Sequence, residues 1–279
     1  MNKLLVLIQC KDEVGLVANI TRILASHKLN IIAMREFVDE EEQRFFARIS
    51  CSASIESKEE LKKELQDTLP ENAVIAVVPK ADKRIAVLVT KEFHCLSDIL
   101  IRNYFKTLGA EVKCVIGNYE NLKELSEKLD VPFHYISHEN ISKEEFESAI
   151  IAQLDQYELD YIVLAKFMRI ISPSFVAKYK HQIINIHHSF LPAFIGASPY
   201  QQAFKRGVKI IGATAHFVTN DLDEGPIINQ QTTHVNHTHG AKQMAIAGRE
   251  IEKSVLSKAL ELVFDDRVFV VGNKTVVFE

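Results

Sequence analysis

From residue 83 onward, short apolar runs alternate with amphipathic stretches, and this alternation restricts the fold more than any other feature of the chain. The runs are "RIAVLVT" (84–90), "EVKCVIGN" (111–118), "PFHYI" (132–136), "DYIVLAK" (160–166) and "QIINIHH" (182–188). Between them lie "CLSDILIRNYFKTL" (95–108), "NLKELSEKLD" (121–130), "SKEEFESAIIAQLDQY" (142–157) and "SPSFVAKY" (172–179), which read as helices. A series of strand–helix units predicts a doubly wound, mostly parallel sheet with helices on both faces. Two later runs, "KIIGATAHFVT" (209–219) and "PIINQQTTHV" (226–235), are separated by a short turn and predict an antiparallel hairpin at one edge. A long helix over about 240–263 and a terminal hairpin in "RVFVVGNKTVVF" (267–278) complete this α/β half.

The first 82 residues follow a different order. "LLVLIQC" reads as a strand, and "VGLVANITRILASHKL" as a helix with Val17, Ile20 and Leu24 at helical spacing. "NIIAMREFV" and "QRFFARISCSA" are strands around the acidic turn Asp39 to Glu42. Ser57 and Glu60 form a capping-box pattern at the head of "SKEELKKELQDTL", and "AVIAVVP" closes as a strand. The order βαββαβ is ferredoxin-like. Gly15, the only glycine in this half, stands where the first strand turns into the first helix. The polar stretch Pro79 to Lys83 separates the halves, which sets the expected domains at 1–82 and 83–279.

Bulk properties narrow the function. A net charge of −4 without a basic block speaks against nucleic acid as a partner. Nothing approaches the apolar length of a membrane span, and the N-terminus lacks a signal-peptide pattern. Cys10, Cys51, Cys95 and Cys114 are scattered in apolar runs without a CxxC pair, as expected of buried thiols in a reducing compartment, so the cytoplasm is the expected location.

The stretch "IINIHHSFLPAFIGASP" (183–199) places an amide and two imidazoles at the end of a core strand. Alternation puts Asn185 and His187 on one face and His188 on the other. The carboxyl ends of parallel strands are where open α/β sheets bind ligands. There an asparagine can stabilise an oxyanion and a histidine can move a proton near neutral pH. Capping of backbone groups at a strand end is the competing explanation. His188 is expected to be structural. A second polar cluster, "HFVTNDLDEGPII", carries Asp221, Asp223 and Glu224 in a turn sharpened by Gly225-Pro226. A carboxylate beside His187 would fix its tautomer; a solvated acidic turn is the alternative. His234, His237 and His239 cluster in "HVNHTHG", but no HExxH or cysteine pattern accompanies them, and no metal is expected.

With these residues in view, "NIHHSFLPAFIGASP" followed by "HFVTNDLDEGPII" resembles the signature of the folate-dependent formyltransferase fold, and "CKDEVGLVANITRIL…LNI" is similar to the start of an ACT domain. An ACT domain joined to that catalytic domain is the arrangement of the formyltetrahydrofolate deformylase family. "HCLSDIL", "LAKFMRIISPSFVAKY", "GVKIIGATAHFVT" and "GNKTVVF" resemble it too, so the likeness spans essentially the whole chain. Ser198, where a lysine is common, and Asn220, where an acid is common, depart from the pattern.

The resemblance implies a catalytic trio of Asn185, His187 and Asp223. It implies a folate pocket lined by Met168, Arg169, Ile170 and Ile171 on one side and Val218, Thr219, Asn220 and Asp221 on the other. Core packing is the alternative for the apolar members. The implied reaction is hydrolysis of 10-formyltetrahydrofolate to formate and tetrahydrofolate, which balances one-carbon pools and supplies formate for purine biosynthesis, with no cofactor or metal beyond the folate. The first strand of the catalytic half is followed by "VTKEFHCLSD", which lacks the glycine of a phosphate-cradling turn. Phe93, His94 and Cys95 are therefore expected to fill the acceptor site and leave room for water only. Formyl transfer to a small amine and a non-catalytic folate-binding regulator are the competing functions. The ACT-like half implies a homo-oligomer and an amino-acid effector such as glycine or methionine, with Asp12, Gly15 and Asn30 as candidate contacts; simple dimerisation is the alternative.

Overall fold

The computed structural model describes residues 3–52, 58–79, 81–193 and 199–279. Two compact units divide it, residues 1–81 and residues 82–277.

The first unit contains β1 (Lys3–Lys11), α1 (Leu16–Ser26), β2 (Asn30–Asp39), β3 (Arg44–Ser52), α2 (Lys58–Thr68) and β4 (Val74–Pro79). The strands form one sheet in the order β2-β3-β1-β4, with β1 antiparallel to both of its neighbours. This is the βαββαβ arrangement that the sequence predicts. Its core joins Val6 and Ile8 of β1 to Leu16, Ile20 and Leu24 of α1 and Leu61 and Leu65 of α2. The i, i+4 spacing of Leu16, Ile20 and Leu24 lays one helix stripe on the sheet. Gly15 heads α1 with φ 94°, a left-handed conformation that strongly favours glycine. The expected cap residue Ser57 lies outside the described residues. Strand β2 forms an edge of the sheet and leaves Ile32 and Phe37 exposed.

The second unit runs β5 (Lys83–Val89), α3 (His94–Tyr104), β6 (Ala110–Gly117), α4 (Lys123–Glu127), β7 (Phe133–Tyr135), α5 (Lys143–Leu154), β8 (Tyr161–Leu164), α6 (Pro173–Lys178), β9 (Ile183–His187), α7 (Pro199–Arg206), β10 (Ile210–Phe217), β11 (Ile227–His234), α8 (Ala241–Phe264), β12 (Val268–Val271) and β13 (Lys274–Val277). Its main sheet has the order β11-β10-β9-β8-β5-β6-β7. Strands β5 to β9 pair in parallel. The β10–β11 hairpin closes one edge, and β10 also pairs antiparallel with β9. Successive strands extend from β5 in opposite directions, so a crevice opens where β5 and β8 part, at their carboxyl ends.

Two cores cover the faces. On one, Val87, Val163, Ile184 and Ile186 meet Leu96 of α3 and Val255 and Leu256 of α8. On the other, Leu88, Leu164 and Ile183 meet Phe146 and Ile150 of α5 and Phe175 of α6. Helix α7 was not among the expected elements: "PYQQAFKR" carries too few apolar residues to show a periodic stripe. Helix α3 stops at Tyr104, short of the expected Leu108, because Lys106 and Gly109 take left-handed backbone angles.

Candidate active site

Strand β9 delivers Asn185 and His187 to the α5/α6 face of the sheet, because the side chains that alternate with them, Ile184 and Ile186, belong to the opposite core. His187 is 5% exposed, and its Nδ1 lies 3.2 Å from Asp223 Oδ2. With Asp223 ionised, Nδ1 carries the proton and donates it, leaving the Nε2 lone pair free. That Nε2 atom is buried and has no hydrogen-bond partner among the described residues. Burial works to raise the Asp223 carboxyl, but the hydrogen bond from His187 outweighs it and holds the group well below the usual carboxylate range.

A second histidine completes the group. His216 on β10 stands opposite Asn185 in the antiparallel register. Its Nδ1 donates to the Phe217 carbonyl at 2.9 Å, which leaves Nε2 as an acceptor. The Asn185 amide nitrogen donates to it at 3.2 Å. One amide proton is thereby fixed and the other is available to a ligand. The sequence reading missed His216; the signal was a single imidazole closing the otherwise small and apolar run "ATAHF".

Asp223 adopts φ 58°, a left-handed angle that aspartate tolerates better than most residues. The turn that carries it returns along β10, where the Phe217 amide donates to the Pro226 carbonyl at 2.9 Å. A Cβ on Gly225 would sit 1.8 Å from the Phe217 carbonyl oxygen. Gly225→Ala must therefore push this loop outward and misplace Asp223. The expected result is a folded protein whose kcat falls roughly 100-fold, read by circular dichroism alongside turnover; wild-type turnover would contradict this close-approach argument.

A cavity of about 280 Å³ opens over the trio. It is lined by Asn185, His187 and Asp223 together with Met168, Arg169, Ile170, Ile171, Val218, Thr219, Asn220 and Asp221. All of the trio and pocket positions expected from the sequence thus surround one space. The 168–171 segment is held at both ends. The Met168 amide donates to Thr90 Oγ1 at 3.0 Å, and buried Glu147 on α5 accepts from the Ser172 amide at 2.7 Å and from the Ser172 hydroxyl. Between these anchors Met168 and Ile170 are exposed, as is Leu222 across the cavity, an apolar rim suited to covering a flat aromatic ligand. Asp221 is exposed and Asp223 alone of the loop's acids pairs with His187. Ser198 lies outside the described residues, and Asn220 is an exposed member of the cavity wall.

The expected occlusion by Phe93, His94 and Cys95 is corrected. Phe93 heads α3 but is 55% exposed, and Cys95 is buried in the α3/α8 core. Neither lines the cavity over the trio or the one on its α8 side. His94 does, but not as a plug: its Nε2 donates at 2.8 Å to Glu252 on α8. Glu252 also accepts from the Tyr200 hydroxyl at 2.6 Å and pairs with Lys166 Nζ at 3.1 Å. Next to this group is a second cavity of about 470 Å³, so the space on the α8 side is open. His188 points to that side, as its place in the strand predicts, with its ring 6.2 Å from that of Tyr200. It lines both cavities and makes no hydrogen bond among the described residues. Among the described residues the one cluster with metal-ligand chemistry is His94, Cys95 and Glu252. Glu252 is already satisfied there by three donors, one of them an ammonium, which disfavours a further cation.

In the first unit, the backbone nitrogen of Asp12 donates to the Gln43 carbonyl at 2.8 Å. Asp12 and Gly15 lie in the turn between β1 and α1, and Asn30 opens β2 with its side chain exposed.

The two units and this site define a formyl-transferase-type protein with an ACT domain, and family comparisons agree: residues 83–260 match the formyl transferase model and residues 4–69 the ACT domain model. Over 277 residues the chain is 52% identical to a formyltetrahydrofolate deformylase of Haemophilus influenzae, covering 99% of each. A crystal structure of a formyltetrahydrofolate deformylase from Pseudomonas syringae pv. tomato is similar with a TM-score of 0.96 at 36% identity, covering 100% of this chain and 95% of that one. Glycinamide ribonucleotide transformylase 1 from Symbiobacterium toebii is more distant, with a TM-score of 0.68 at 28% identity over 71% of this chain and 94% of its own. The chain belongs to the formyltetrahydrofolate deformylase family.

Proposed function

We propose that the protein hydrolyses 10-formyltetrahydrofolate to formate and tetrahydrofolate, with Asn185, His187 and Asp223 as the catalytic group. The observation that carries this reading is the unpartnered Nε2 of His187, buried beside an ionised Asp223 that holds Nδ1 protonated. A water positioned by this base attacks the formyl carbon and passes its proton to Nε2. The free amide proton of Asn185 stabilises the oxyanion as it forms. Collapse breaks the bond to N10 of the folate, and His187 returns the proton to that nitrogen. The steps need neither a covalent enzyme intermediate nor a metal. The folate ring system stacks against the segment 168–171 and faces the loop 218–221. In the cell the reaction balances one-carbon pools and yields formate for purine synthesis.

The test is formate release from 10-formyltetrahydrofolate with no amine added. Steady release equal to the tetrahydrofolate formed is expected. Tetrahydrofolate formation only on adding an amine would transfer the assignment to a formyltransferase.

The ACT unit regulates this reaction and joins copies of the chain, with the exposed edge β2 as the pairing surface. Its effector is a small amino acid, glycine or methionine, held near Asp12, Gly15 and Asn30. Binding heat in calorimetry with one of the two, together with changed turnover, is expected. No heat and unchanged turnover with both would leave the unit a role in assembly alone.

A further inference from the structure

The cavity over the catalytic trio and the cavity on the α8 side share three lining residues: Lys166, Met168 and His188. These residues form the crest between the two spaces, at the carboxyl ends of β8 and β9. Lys166 is the unusual member. It is 8% exposed although it carries a charge. Its backbone takes φ 62°, left-handed and costly for a lysine.

The course of β8 explains that angle. Ile162 and Leu164 face the α5/α6 core, and Val163 and Ala165 face the α8 core. Alternation would place Lys166 on the α5/α6 face, with the trio. The left-handed turn instead directs its side chain over the crest to Glu252 on α8, where the ammonium stands 3.1 Å from the carboxylate. Glu252 is 1% exposed, and its remaining partners are His94 and Tyr200. The chain's own ammonium therefore occupies the most buried carboxylate of the second cavity.

A free carboxylate there would favour an acceptor amine. Most aliphatic amines are ammonium ions at neutral pH, and a cavity floored by a carboxylate would attract them. Here the carboxylate is taken, and a buried cation repels a second one at close range. The fold is shared with a glycinamide ribonucleotide transformylase, so the scaffold itself does not exclude an amine acceptor.

We propose that Lys166, held across the crest by Glu252, is the residue that restricts the formyl acceptor to water, by occupying the carboxylate and the passage through which an amine would reach the formyl carbon. This rests on the hydrolase reading above. Water passes the crest because it is small and neutral. In transfer, the ammonium would first lose one proton to solvent; the neutral amine nitrogen would then bond to the formyl carbon, the bond to N10 would break, and a second amine proton would pass through His187 to N10.

The test is Lys166→Gly, a substitution its left-handed backbone accommodates, assayed with 10-formyltetrahydrofolate and rising glycinamide. Formate, N-formylglycinamide and tetrahydrofolate are each quantified. Wild type should yield formate and no formylated amine. Lys166→Gly should yield N-formylglycinamide at a share rising with glycinamide, at least roughly tenfold over wild type, the scale of a lost binding discrimination. If Lys166→Gly fails to fold, Lys166→Gly/Glu252→Gln removes both buried charges and should show the same product at higher glycinamide. Formate as the sole formyl product of a folded, active variant at every glycinamide concentration would overturn the proposal. A wild type that released no formate would instead defeat the hydrolase reading, whatever the variant did.

Discussion

Asp223→Asn is expected to lower kcat for formate release by roughly 10²- to 10⁴-fold while leaving folate binding within a few-fold of wild type. The substitution keeps size and hydrogen bonding but reverses the tautomer logic. Asp223 Oδ2 lies 3.2 Å from Nδ1 of His187 and accepts its proton. An asparagine can turn its amide nitrogen to the same place, donate to Nδ1 and move the imidazole proton to Nε2, the atom that must accept from water. The folate contacts at 168–171 do not depend on this charge, so loss should fall on kcat rather than KM. The pH dependence follows with a definite sign. Because the Asp223 carboxyl is held below its ordinary range in the folded protein, its charge is present at pH values above that range and is lost only on further acidification. An acid limb in wild-type activity near pH 5 or above is therefore assigned to a group other than Asp223. Turnover of Asp223→Asn within threefold of wild type would remove this residue from the mechanism.

The parts of this site that were legible in the sequence are those with a local signal. Asn185 and His187 interrupt an apolar run at strand spacing, and Asp223 stands in a turn marked by Gly225-Pro226. The strand–helix alternation likewise foretold the parallel sheet, because each apolar run reports one buried strand by itself. What stayed hidden depends on register or on side chains that meet from distant segments. His216 reaches Asn185 only because β10 pairs antiparallel with β9, a pairing no short-range pattern specifies. Glu147 lies among charged neighbours on α5, and nothing in "SKEEFESAII" marks it as the anchor of Ser172. The acceptor side was misread for the same reason. Phe93, His94 and Cys95 are adjacent in sequence, but α3 leaves Phe93 exposed and buries His94 and Cys95 beside Glu252, and the residue that crosses the crest, Lys166, owes its direction to one left-handed backbone angle.

Glu252 carries the largest expected effect on stability. Glu252→Ala should destabilise the protein by about 3–5 kcal/mol, the cost of breaking a buried ion pair from one side. Three partners lose their acceptor at once: Lys166, His94 and the Tyr200 hydroxyl. The chain has shaped itself to this contact. A Cβ on Gly248, one turn before Glu252 on α8, would lie 2.0 Å from the Tyr200 hydroxyl oxygen, so the bare helix face there admits the phenol. Burial raises the Glu252 carboxyl, but the His94 hydrogen bond and the Lys166 charge outweigh it and lower the group from 4.5 to about 2. A depressed carboxylate stabilises above its unfolded value and loses that contribution as pH falls through the folded one. The contribution, on the order of 3 kcal/mol, should be complete near neutrality and disappear between pH 4.5 and about 2. Urea unfolding at pH 7 and pH 3 should show wild type losing more stability than Glu252→Gln over that interval; equal losses would mean that the carboxylate is not held ionised by its neighbours. The decisive comparison adds Lys166→Met. If the penalty of Glu252→Ala comes from an abandoned ammonium, Glu252→Ala/Lys166→Met should recover a large share of it, because no buried charge is left unpaired. Simple additivity of the two substitutions would place the stability of this face in its packing and not in the ion pair.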